Sequence, residues 1–261
     1  MAKSPSKQSV QRSLFSAISA DDVTLVAAAI SAGADVNAPD PDEDSAPSAD
    51  WYPLHWTALA PNRATIATLL LDAGAKPEPQ ARGFTPLILA AERADVAIIR
   101  VLLEAGAKAN GKQANKGLGG GTALHAASEG GQLDILRYLV SVGGRLDALE
   151  TSTKETLLHP AARNGHVALV KYLLAEGIDP NAKTRFGSTA LAIAKECGND
   201  EVVAVLDRAA SRTSAEPSKR APEQTTTHAR AMRRELAKNM TAKPKTKRKP
   251  KPPPKKKAKK R

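Results

Sequence analysis

Cysteine is almost missing from this chain. Cys197 stands alone, which excludes an internal disulfide and a cysteine-based zinc site. Aromatic residues are scarce at 3% of the chain, so a core must be assembled from Ala, Leu, Val and Ile. No run approaches the roughly 18 apolar residues of a membrane span, and no membrane partner is expected. The first residues, MAKSPSKQSVQRSLFSAISADD, carry basic side chains but no sustained apolar stretch, so a secretory signal is not expected. A phosphate-cradling glycine loop ending in Lys-Ser/Thr is absent; the run from Gly117 to Gly121 offers glycines only. No nucleophile–base pair can be assembled. The chain is therefore expected to be neither an enzyme nor a binder of a cofactor, metal or small-molecule substrate.

What is present is repetition. A six-residue phrase recurs as Tyr52-Pro-Leu-His-Trp-Thr, Thr85-Pro-Leu-Ile-Leu-Ala, Thr122-Ala-Leu-His-Ala-Ala, Thr156-Leu-Leu-His-Pro-Ala and Thr189-Ala-Leu-Ala-Ile-Ala. Its starts lie 33, 37, 34 and 33 residues apart. A period near 33 marks a stack of small units, each burying its apolar face against its neighbours. Apolar stretches ending in a glycine turn follow the first four phrases: Thr65 to Ala75, Val96 to Ala107, Leu133 to Gly143 and Val167 to Gly177. An earlier unit lacks the phrase but keeps Leu14 to Ile18, Val23 to Ile30 and the turn Ala32-Gly33-Ala34.

These residues resemble the ankyrin-repeat family. The resemblance covers roughly residues 12–210 and implies an all-α repeat solenoid of about six helix-turn-helix units with projecting β-hairpin loops. The units are placed at about 12–50, 51–82, 83–119, 120–153, 154–186 and 187–210, after a flexible N-terminus at 1–11. Thr at each opening can cap the first helix, and Pro53 and Pro86 then fall where a missing N–H costs nothing. Ala90, Ala91, Ala126, Ala127, Ala161 and Ala162 let helices approach closely, while the pairs Leu102-Leu103 and Leu173-Leu174 fill the seams. Each glycine after a second helix suits a left-handed helix end.

Four departures stand out. Residues 39–50 (PDPDEDSAPSAD) and 111–121 (GKQANKGLGGG) lengthen two inter-repeat loops; they are either partner contacts or tolerated insertions. Pro160 falls inside a first helix, where it costs up to about 3 kcal/mol if fully interior and less near the start. The last unit lacks the Gly-Ala turn, as a terminal cap does.

Charge divides the chain sharply. Residues 211–261 hold 19 Lys or Arg and 3 Glu, a net +16, against 20 basic and 24 acidic residues, a net −4, before them; together they give the overall +12. The tail is expected to be disordered: a polar linker from Ser211 to Thr227, a segment from His228 to Asn239 with short-helix composition, then a Lys/Arg/Pro-rich run. Its cations Lys243, Lys245, Lys247, Arg248, Lys249, Lys251, Lys255, Lys256, Lys257, Lys259, Lys260 and Arg261 suit a polyanion, non-specific DNA or RNA, or a nuclear-import receptor. A solubilising extension is the remaining reading. With no aromatic in the tail, no base reading is expected.

The resemblance also implies where an unidentified protein partner would bind: on the concave face, at hairpin tips and exposed first-helix positions. That marks Arg82, Phe84, Arg185 and Phe186 at tips, and Trp56, Glu92, Arg93, Glu129, Arg163 and Asn164 on first helices. Trp51, Tyr52 and Trp56 form the one aromatic cluster, either surface anchors or residues packed beneath the long loop. His55, His125 and His159 share one repeat position, with His166 at another, and the family assigns them structural hydrogen bonds. The expected role is a protein-interaction scaffold whose tail anchors it to nucleic acid or directs it to the nucleus. Two alternatives stay open: a regulator or inhibitor that occludes one target, and a nucleic-acid-condensing protein acting through its tail. Either way the expected location is intracellular: the nucleus in a eukaryote, otherwise the cytoplasm or nucleoid.

Overall fold

The computed structural model describes residues 6–41, 50–81, 83–111 and 121–215. Among these residues there are twelve α-helices: α1 (Lys7–Ser19), α2 (Val23–Ser31), α3 (Pro53–Thr57), α4 (Ala64–Asp72), α5 (Pro86–Glu92), α6 (Val96–Glu104), α7 (Ala123–Glu129), α8 (Leu133–Ser141), α9 (Leu158–Arg163), α10 (Val167–Ala175), α11 (Ala190–Glu196) and α12 (Asp200–Ala215). They pair consecutively into six helix-turn-helix units. The first helices form one layer, α1 against α3 and onward to α11; second helices pack alongside, as α2 on α4 on α6 and α10 on α12.

One continuous apolar core runs through the stack. The alanines at 90, 91, 126, 127, 161 and 162 are all buried, as are Leu102 and Leu173, while their partners Leu103 and Leu174 lie half-buried against the core. Burying each such aliphatic side chain contributes about 1.5–3 kcal/mol. Because Ala leaves room for close helix approach, Leu and Ile from the second helices reach across the seams.

The helix ends follow their residues. Thr85 Oγ1 accepts from Ile88 N–H and Thr189 Oγ1 from Ala192 N–H. Gly33, Gly74, Gly106, Gly143 and Gly177 end the second helices at φ between +89° and +105°, the left-handed region that favours glycine. Pro160 is accommodated cheaply. At its position the other first helices make their first helical bond, such as Ala126 N–H to Thr122 O (3.2 Å) and Ile193 N–H to Thr189 O (3.1 Å). Proline forgoes that one bond, and α9 begins at Leu158, with His159 N–H donating to Thr156 O (3.1 Å) instead.

Three boundaries differ from the sequence expectation. Residues 7–11 belong to α1, not to a flexible N-terminus. Ser6 Oγ caps that helix from Ser9 N–H, and Gln11 exchanges two hydrogen bonds with the Asp35 backbone, both 2.9 Å. At the other end α12 runs through Ala215, past the boundary drawn at 210. The projecting hairpins are reduced, among the described residues, to isolated bridges Ala81–Phe84 and Lys183–Thr189. The turns are held largely by side chains rather than ladders: Asn37 bonds Gly74 O and Lys76 N–H, Asn110 bonds Gly143 O and Arg145 N–H, and Glu78 accepts from Lys108 N–H, each within 2.9 Å. The loop cores at 42–49 and 112–120, Arg82, and the tail from 216 with its twelve named cations lie outside the described residues.

Candidate protein-interaction surface

The first helices end on one common surface. Glu92, Arg93, Glu129, Arg163 and Asn164 are all exposed there, on three successive units. A ladder of side chains fixes the spacing between them. After Thr122, Thr156 and Thr189, the residue ten positions on reaches back to the C-terminal carbonyls of the preceding first helix. Gln132 Nε2 donates to Glu92 O (3.4 Å), His166 Nε2 meets Glu129 O (2.8 Å), and Asn199 Nδ2 donates to Ala162 O (2.9 Å) and Arg163 O (2.8 Å). Asn164 adds a bond to Glu129 O at 2.9 Å. These carbonyls are the orphaned acceptors of a helix C-terminus, so the ladder satisfies them while setting neighbouring side chains in register. The sequence reading did not single out Gln132 or Asn199; their shared place in the repeat was the available signal.

Charge on this surface is uneven. Arg163 pairs with Glu155 (2.5 Å), which holds its guanidinium charged. Glu92 is different: burial first, and the nearby Glu129 charge second, push its carboxyl above the usual range, with Arg93 opposing. Among the described residues neither Glu92 nor Glu129 makes a close ion pair, although Arg93 lies near the one and Arg163 near the other. Two adjacent carboxylates thus face outward where a cationic side chain would be welcomed.

The aromatic cluster divides. Trp51 is only 9% exposed and its ring stacks near His55 (5.8 Å), so it packs inward and is not a surface anchor. Trp56 is half-buried with its ring edge-on to Phe15 at 6.0 Å, tying the first two units together. Tyr52 is half-buried beside His55. Phe84 is half-buried on the core, whereas Phe186 is 78% exposed at the tip between α10 and α11. Beside it Arg185 crosses to the preceding turn, its N–H donating to Thr153 O at 2.6 Å. Phe186 is therefore the one large apolar side chain of the expected set that stands free.

The repeated histidines are internal struts. Nδ1 of His55, His125 and His159 accepts from the backbone N–H of Tyr52, Thr122 and Thr156 at 3.2, 3.2 and 3.0 Å. Nε2 then reaches the next unit, at Phe84 O (3.1 Å) for His55 and Glu155 O (3.3 Å) for His125. For His159 the carbonyls of Ser188 and Ala182 are near enough to be felt, yet neither reaches hydrogen-bonding geometry. Burial lowers the His55 pKa to about 4 and lowers that of His159 as well.

A family model of ankyrin repeats, three copies long, matches residues 14–113, 54–149, 109–184 and 143–216. The chain belongs to the ankyrin-repeat family. Among ankyrin relatives it is 29% identical over 208 residues to human Ankyrin repeat domain-containing protein 63, covering 71% of this chain and 53% of that one. It is 30% identical over 157 residues to the mouse B-cell lymphoma 3 protein homolog, covering 60% of this chain and 35% of that one. Over 80 residues it is 40% identical to the Caenorhabditis elegans Transient receptor potential cation channel subfamily A member 1 homolog, covering 31% of this chain and 7% of that one. The chain thus spans at most about half the length of these relatives. Ankyrin repeats are interaction modules, and a protein-binding role follows from the family. Among the described residues no helix is long and apolar enough to cross a membrane.

Proposed function

We propose that this ankyrin stack is a non-enzymatic adaptor that binds a protein partner on its first-helix surface, while its basic tail holds the assembly on nucleic acid or brings it to the nucleus. The observation that carries the first half is the row of exposed side chains on consecutive units, Glu92, Arg93, Glu129, Arg163 and Asn164, with Phe186 free at the adjoining tip. A periodic row of this kind recognises an extended surface, and its unneutralised carboxylates favour a partner with basic side chains. The charge asymmetry, +16 after residue 210 against −4 before it, supports the second half. A flexible connection would make the mechanism one of tethering, with the linker setting effective concentration.

Duplex DNA binding across a salt series, by the full chain and by a chain ending at Ala215, tests the tail. If about eight tail charges neutralise phosphates, the full chain shows a logarithmic salt slope near −7 and the shortened chain does not bind. Binding by neither leaves the tail as an import signal or solubilising extension. Binding that survives loss of residues 6–215 favours the nucleic-acid-condensing reading, which rests on the same charge asymmetry.

A further inference from the structure

We draw no further inference here: the strongest candidate, the Glu92–Glu129 carboxylate pair at the C-terminal ends of α5 and α7, belongs to the interaction surface already described and supports nothing beyond the basic partner proposed there.

Discussion

Replacing His55 by Leu removes a strut between two units, and the cost can be worked out. The ring is fully buried, accepts from Tyr52 N–H at 3.2 Å and donates to Phe84 O at 3.1 Å. Leucine fills much of the volume but orphans Tyr52 N–H and removes one of two bonds at Phe84 O, which keeps Ala81 N–H at 3.2 Å. The orphaned donor costs about 1–3 kcal/mol and the lost bond between units about 1 more, so the variant should lose about 2–4 kcal/mol. His159 provides a comparison, since its Nε2 makes no hydrogen bond of good geometry to the next unit. His159→Leu takes the partner from Thr156 N–H and Oγ1 but breaks no bond between units, so its cost should be comparable and confined to its own unit. The same site predicts a pH dependence. With a folded pKa near 4 against the ordinary 6.5, the unfolded chain takes up a proton in that window and the folded chain does not. Stability is therefore fully present above pH 6.5 and declines as pH falls toward 4, by about 3 kcal/mol at the limit. Urea unfolding followed by far-UV circular dichroism at several pH values measures both effects. The difference between wild type and His55→Leu should shrink as pH drops through this window. If the pH profiles of wild type and His55→Leu run parallel, the strut account is wrong.

The turns give further expectations. Gly143→Ala meets no atom within 4 Å and suffers only its positive φ of +105°, a cost of about 1 kcal/mol. Gly131→Ala should cost more in the same urea assay, because its Cβ would fall 2.5 Å from the His166 ring and displace that ladder residue. Ala94 adopts φ +58° where other units place glycine, so Ala94→Gly should raise stability by up to about 1 kcal/mol. Asn110→Ala removes both bonds to the following turn and should cost about 1–2 kcal/mol. Charge reversal of Glu92 and Glu129 to Lys should leave the urea midpoint within about 0.5 kcal/mol of wild type while abolishing capture of a basic peptide partner; retained capture would place the binding surface elsewhere.

Much of the architecture was legible because the repeat exposes it. Five openings at a near-constant interval located the first helices, and glycines after the apolar stretches located the ends of the second. Local chemistry decides these features, through capping hydroxyls, the missing N–H of proline and the left-handed preference of glycine, so adjacent residues suffice to read them. The expected surface row was also legible, since exposed first-helix positions repeat with the unit.

Tertiary packing decided what identical local patterns left open. Trp51 and Phe186 are both aromatic residues near a turn, yet one is covered by its neighbours and the other stands in solvent. Leu25 and Ile66 hold the same place in their helices, yet the first is 55% exposed and the second is covered by the unit before it. His55 and His159 share a motif, but whether a carbonyl of the next unit comes within reach depends on how that unit sits. Sequence by itself determined the unit and its repetition, because those rest on interactions between near neighbours in the chain. Which faces are covered, and which hydrogen bonds close between units, depends on residues some 30 positions away, and that distance is bridged only when the units stack.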